Sequence, residues 1–295
     1  MTFAAIAAAA AFSPLTAQQV PARDLFHFPL GTLAEAPALA NAAGGGFWNP
    51  ASIALGPISR AAFSASALRS SLDQGVSAQI GTAAVRTTRG LTVGVSFAES
   101  HVSDIPRTDT DPQSLGVVPF RSAIISAVVA GDRGPVTLGL ALRSRSGTVD
   151  QVFGRATSVD VGAVVDRPHG LPLRAALSTF LLSPSRNIEK ASIIGAVEGY
   201  VPVSGRDVRA GVSYQKDEGF GDERFVYAAG RAGMLDVRGG LARQAAFGAT
   251  STRLRLAAGV HYGRYVVGVS RDDGSSGVGA SYQFLLTTVL PMVAR

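Results

Sequence analysis

The sequence predicts an all-β chain, a closed antiparallel transmembrane β-barrel of about 14 strands carrying a short N-terminal plug segment. Three observations predict it. Of 295 residues, 46% are hydrophobic and only 16% charged, with mean hydropathy +0.24, whereas a soluble domain carries roughly 25% charge. No stretch supplies the ~20 apolar residues of a spanning helix; the longest run lies in the Ala-rich first 17 residues. A membrane-like composition without spanning helices leaves a closed barrel, in which every backbone polar group is paired, or a tightly buried β-sandwich. The second observation is a period of two, and the third is a sorting of connections into short and long.

The period runs from Arg60 onward. Leu91, Val93, Val95 and Phe97 alternate with Thr92, Gly94, Ser96 and Ala98; Leu254, Leu256, Ala258, Val260 and Tyr262 alternate with Arg253, Arg255, Ala257, Gly259 and His261. Val136–Leu142 and Val208–Tyr214 behave alike. Such alternation marks strands with one apolar face, and no helical pattern separates them, which argues against a parallel βαβ sheet. Fourteen strands begin near residues 60, 74, 90, 119, 135, 156, 171, 190, 206, 223, 234, 252, 264 and 276.

Every second connection reads as a tight turn, such as Thr88-Arg89-Gly90, Gly131–Gly134, Asp166–Gly170 and Tyr262-Gly263-Arg264. The intervening ones read as longer: Glu99–Val118, Ser144–Arg155, Ser183–Glu189, Lys216–Glu223, Gln244–Ser251 and Arg271–Ser276. Short turns on one rim and long loops on the other suit an outer-membrane barrel and give a soluble sandwich no advantage. An even strand number returns both barrel ends to the short-turn rim, where the N-terminal segment is expected to start. The six tyrosines are expected at strand ends, as interface aromatics.

Four segments follow. Residues 1–18 read as a secretory signal cleaved near Ala17 or Gln18, although no Lys or Arg precedes Arg23; the alternative is a retained Ala-rich helix. Residues 19–58 form the plug, 59–286 the barrel and 287–295 a tail that tucks into the lumen or extends the last strand. The expected location is the outer membrane of a Gram-negative bacterium, with its lipid as a partner. No nucleic-acid partner is expected, because the arginines are dispersed along strands and turns instead of forming a patch with stacking aromatics.

With the apolar faces outward, the alternate positions line the lumen. They include Arg143, Arg174, Arg209, Arg238, Arg253, Arg255 and His261, together with Arg145, Asp160, Glu198 and Asp236. An arginine facing lipid at mid-depth would cost a few kcal/mol, so this parity is required. The basic lumen reads either as a passage attracting anions or as an Arg/Asp/Glu ladder that fills the barrel.

Residues Pro37–Leu55 read PALANAAGGGFWNPASIAL and do not alternate. The stretch Trp48-Asn49-Pro50-Ala51, after a Gly-rich run, resembles the "WNPAGLA" element of the outer-membrane superfamily of long-chain fatty-acid transporters (FadL) and PorV/PorQ-type barrels; Ser52 stands where that family usually has Gly. The resemblance implies a fourteen-strand barrel with an N-terminal segment folded into the lumen. Phe47, Trp48, Asn49 and Pro50 would then be its plug and gating residues, and Arg253, Arg255 and His261 would meet a polar or anionic head. Gly277 to Phe284, with Tyr282 and Phe284 at alternate positions, resembles the C-terminal insertion signal of bacterial barrels.

The function expected is passive transport or binding of small hydrophobic or amphiphilic molecules. The alternative is a PorV/PorQ-like non-conducting scaffold whose long loops dock a secreted protein or envelope complex. An enzyme is not expected: His27, His101, His169 and His261 carry no catalytic or metal-ligand spacing, and the zero cysteines remove thiol chemistry. No cofactor and no metal are expected; Asp272-Asp273-Gly274-Ser275 reads as a hairpin turn, not a calcium loop.

Overall fold

A computed structural model of the protein describes residues 21–41, 44–55, 61–70, 75–87, 90–103, 105–108, 114–182, 190–203, 206–217, 221–246, 249–274 and 279–290. The signal-peptide expectation for residues 1–18 lies outside them. Fourteen strands close into one barrel: β1 (Ala61–Ser70), β2 (Val76–Arg86), β3 (Leu91–Val102), β6 (Phe120–Arg133), β7 (Val136–Val149), β8 (Val152–Asp166), β9 (Leu173–Leu182), β10 (Ser192–Val203), β11 (Arg206–Asp217), β12 (Gly221–Ala232), β13 (Leu235–Ala246), β14 (Ala249–Tyr262), β15 (Tyr265–Asp272) and β16 (Ser281–Leu290). A separate hairpin, β4 (Pro106–Thr108) with β5 (Ser114–Val117), lies between β3 and β6. Each barrel strand pairs antiparallel with its chain neighbours, and β1 closes on β16 through pairs such as Ala61↔Leu290 and Ser70↔Ser281. The barrel itself is left without an open edge.

The apolar faces point outward. Leu138 is 62% exposed, and Leu140, Leu142, Val212, Val226, Leu241 and Phe284 are likewise exposed to the outside. At the alternate positions of the barrel strands Ser96, Ser126, Arg143, Ser158, Asp160 and Arg253 are buried. This inverts a soluble fold and gives the outer surface the apolar belt that hydrocarbon would cover. The sandwich alternative, with those side chains between stacked sheets, is excluded.

The turn rim carries tight connections, with Gly233 and Gly263 at φ +60° and +58°, a conformation glycine adopts without penalty. The opposite rim is less uniform than the sequence reading. Ser144–Arg155 is not a long loop: β7 and β8 pair as far as Val149↔Val152, and Asp150 turns the chain at φ +54°. Lys216–Glu223 and Gln244–Ser251 are likewise largely strand, and Glu99 and His101 belong to β3. These strands continue beyond the apolar belt, where the outward position is no longer required to be apolar. Alternation therefore fades while the hydrogen-bond ladder continues. The last strand extends to Leu290, four residues past the expected barrel end, so the described part of the tail lengthens the strand.

The tyrosines split. Tyr214, Tyr262, Tyr265 and Tyr282 are exposed on the outside, but Tyr227 and Tyr200 share the inward parity of Phe225 and Glu198. Tyr227 is buried, stacks on Phe225 at 5.4 Å and donates its hydroxyl to Glu198 at 2.8 Å. Glycines make the room: a Cβ on Gly211 would come within 2.7 Å of the Tyr227 ring.

The N-terminal segment occupies the lumen. Its first described residues lie near the loop rim; the expected start of the segment, at residue 19, lies outside the described residues. The Pro21 carbonyl accepts from Arg145, close to the loop-rim end of β7, and Arg23 pairs with Asp217 at the end of β11. The segment then descends to Leu55, before β1 begins at the turn rim.

Candidate functional site

The site is the lumen together with the segment that fills it, and the segment is held at four levels. At the loop rim, Arg23 donates through Nε to Asp217 at 2.9 Å and through Nη1 to the Lys190 carbonyl at 2.9 Å. The Asp24 carboxylate accepts from Ser100 at 2.8 Å and Ser122 at 2.6 Å. His27 lies 3.7 Å from Asp217. Burial pushes the His27 imidazole below its ordinary value, against the opposing pull of the Asp217 and Asp24 carboxylates.

One level down, the Gly31 amide donates to Gln283 at 2.8 Å, and Gln283 donates back to the Thr32 carbonyl at 2.5 Å. Leu33 packs over Gly268, where a Cβ would approach within 2.6 Å. Deeper, Glu35 pairs with Arg238, which also holds Asp236 through two bonds of 3.1 and 2.7 Å. Desolvation raises the Glu35 carboxyl above its ordinary range, and Arg238 opposes the rise.

The fourth level is the Trp48-Asn49-Pro50 element. Asn49 caps a short 3-10 turn over Pro50–Ala54: its side-chain oxygen accepts from the Ala51 amide at 3.0 Å, and Pro50 occupies the first turn position. The same side chain donates to the Ala38 carbonyl at 3.1 Å and to the Ala163 carbonyl of β8 at 3.3 Å. The turn seats on paired glycines of the wall, Gly139↔Gly162. A Cβ on Gly139 would sit 2.2 Å from the Ala51 nitrogen, and one on Gly162 would sit 1.9 Å from Asn49 Oδ1. No side chain fits there; the wall is recessed to receive the turn.

Above this turn an aromatic cluster spans the lumen. Phe26 stacks on Phe47 at 4.8 Å and on Phe180 of β9 at 4.5 Å, and Trp48 meets both Phe26 and Phe47 edge-on. The Trp48 indole N–H donates to the Leu30 carbonyl at 2.8 Å. Arg143, with 0% exposure, lies 5.2 and 5.1 Å from the Phe26 and Phe47 ring centres and bonds both Asp160 and the Phe47 carbonyl. Asp160 also accepts from the Leu181 amide at 3.0 Å. Beside the cluster, toward the loop rim, a small space of about 20 Å³ is bordered by His27, Phe28, Trp48, Gln215, Glu223 and Arg255. That is room for one water.

The luminal arginines are paired. Arg253 and Arg255 interleave with Glu223 and Asp272, Arg255 reaching Glu223 at 2.7 and 2.8 Å and Asp272 at 2.7 Å. Arg174 grips Asp166 through two 3.0 Å bonds, and Arg209 lies 3.5 Å from Glu198. The arrangement is a ladder of neutralised pairs that fills the barrel. It also separates the residues expected to meet one anionic head. His261 lies 3.7 Å from Asp236 near the turn rim, eight residues and roughly 27 Å along β14 from Arg253, and both arginines are already paired with carboxylates.

Sequence reasoning missed Arg23, Asp24, Glu35, Phe26 and Phe180, the wall glycines and the ligating role of Glu223 and Asp272. Gly94, Gly139 and Gly162 were visible as glycines at inward parity on strands; the others lie in a non-periodic segment or at strand ends. Among the described residues no group of three or more His, Cys, Asp and Glu could hold a metal ion.

No family model and no curated protein sequence matches the chain. Solved structures do. It is similar to the toluene transporter TodX of Pseudomonas putida (9% identity, 88% of this chain and 97% of that chain, TM-score 0.60). It is also similar to the monoaromatic hydrocarbon channel CymD (10%, 88% and 99%, 0.59) and to a FadL homologue of Pseudomonas aeruginosa (10%, 88% and 95%, 0.54). The chain thus has the fold of FadL-type outer-membrane barrels.

Proposed function

We propose that this protein spans the outer membrane as a transport barrel for small hydrophobic or amphiphilic molecules, closed at rest by its own N-terminal segment. The observation that carries this is the aromatic cluster of Phe26, Phe47, Trp48 and Phe180, built jointly by segment and wall inside a lumen that also holds the ladder of ion pairs. A packed scaffold gains nothing from placing its largest apolar surface on a separate strand-free segment held by hydrogen bonds and ion pairs. A gate does: moving the segment uncovers apolar surface along the route. The likeness to hydrocarbon channels favours transport over the docking scaffold. The passage proposed is passive, along the ligand's own concentration gradient.

The test is uptake of a fluorescent fatty acid into liposomes holding the full chain, with Trp48→Ala for comparison. Uptake above protein-free liposomes, with its rate changed by Trp48→Ala, is expected. Uptake no faster than in protein-free liposomes, for both forms, would sink the proposal.

A further inference from the structure

Near the loop rim the outward faces of β12 and β13 carry two arginines set against each other, whereas Arg69 and Arg155 stand singly on that rim and two others are paired. Arg121 pairs with Glu99 and Arg271 with Asp273, each at 2.9 Å. Arg224 and Arg243, both exposed, sit directly opposite each other across β12 and β13, and among the described residues neither has a carboxylate partner. Like charges in that position repel. The nearest carboxylate on this face, Asp222, already accepts from Tyr214 at 2.9 Å and stands opposite Lys216. Arg224 lies 6.0 Å from the Tyr214 ring centre, which turns the guanidinium toward the adjacent groove.

That groove runs over the outer wall from β9 to β12 and holds about 730 Å³. Its floor is kept low by Ala175 and Gly195, and its sides are Val197, Val212 and Val226. By register, Arg243, Arg224, Tyr214 and Gly195 form one row across the strands, and Leu241, Val226, Val212 and Val197 form the next row toward mid-barrel. Two rows along a strand are about 7 Å apart. Cations above an apolar trough match a headgroup above an acyl chain.

We propose that this face binds a phosphate-bearing membrane lipid, with the phosphate between Arg224 and Arg243 and one chain in the groove. A bridging phosphate converts the repulsive pair into two charge-assisted contacts of the fork geometry guanidinium favours. The inference needs the barrel to lie in a bilayer and does not need it to transport.

Native mass spectrometry of the full chain, released from micelles doped with phosphatidylglycerol or with diacylglycerol of the same chains, tests it. Binding of phosphatidylglycerol at least about tenfold tighter than diacylglycerol is expected, with loss of that preference in R224Q/R243Q. In Gly195→Phe, which fills the groove and keeps both charges, weaker binding of both lipids is expected. R133Q/R264Q, on the opposite rim, serves as the control and keeps the preference. Equal binding of the two lipids, or a preference retained in R224Q/R243Q, overturns the proposal while leaving fatty-acid uptake as a separate outcome.

Discussion

The Asn49 side chain occupies the space that a side chain at residue 162 would need: a Cβ on Gly162 would lie 1.9 Å from Asn49 Oδ1. Cap and wall glycine are therefore one joint. Gly162→Ala is predicted to lift the Asn49–Ala51 turn off the wall, break its bond to the Ala163 carbonyl and cost about 1–3 kcal/mol in overpacking. Single-channel recording should show ion leak rising above the parent. Gly131→Ala is the comparison, since its Cβ would meet only Leu91 at 3.8 Å, and it should leave conductance unchanged.

Arg143 and Asp160 are a fully buried pair, so single truncations leave an uncompensated charge. Arg143→Met is predicted to destabilise the folded barrel by about 3–5 kcal/mol, and the double variant R143M/D160L by much less. Urea unfolding in micelles gives the cycle. Equal losses in single and double variants would contradict the pairing.

Tyr227→Phe keeps the stack on Phe225 and removes the hydroxyl that Glu198 accepts. A loss of about 1–3 kcal/mol is expected for leaving that buried carboxylate short of a donor, measured by the same unfolding assay. Arg209, 3.5 Å from Glu198, keeps the loss toward the lower end.

His27 gives a pH dependence with a definite sign. Its folded-state value is lowered, so the segment binds fewer protons in place than released. Its contribution is fully present above the unfolded imidazole value of about 6.5 and is lost as pH falls through the lower folded value. Acidification below about pH 6.5 should loosen the loop-rim anchor that Arg23 and Asp217 form, seen as increased proteolysis around residues 21–35. His27→Gln should flatten that window. A parent whose proteolysis is flat across it would contradict the assignment.

Much of the barrel was legible because parity is a local property. Each inward charge on a strand, from Arg143 to Arg255, could be placed from its neighbours two residues away. The pairings could not, because they come from closure: Arg143 meets Asp160 only once β7 and β8 are in register, and Glu223 reaches Arg253 across the intervening β13. Tyr227 was misplaced because a tyrosine suits a lipid interface or a lumen equally, and only its parity with Phe225 decides. The route of the N-terminal segment was illegible for a similar reason. Its anchors Arg23, Asp24 and Glu35 show no period, and their partners lie up to 203 residues away. The Asn-Pro-Ala turn was readable as a cap, whereas its seat on Gly139 and Gly162 appears only in three dimensions.

The central claim is that the N-terminal segment sits in the lumen and must move for a molecule to pass. The chain contains no cysteine, so T32C/Q283C introduces the sole thiols, at two residues bonded across segment and wall. A short bis-methanethiosulfonate reagent should bridge them in the folded full chain, stop fatty-acid uptake into liposomes, and release it on reduction. Failure to bridge in a folded barrel, or uptake that continues unchanged after bridging, would contradict the account.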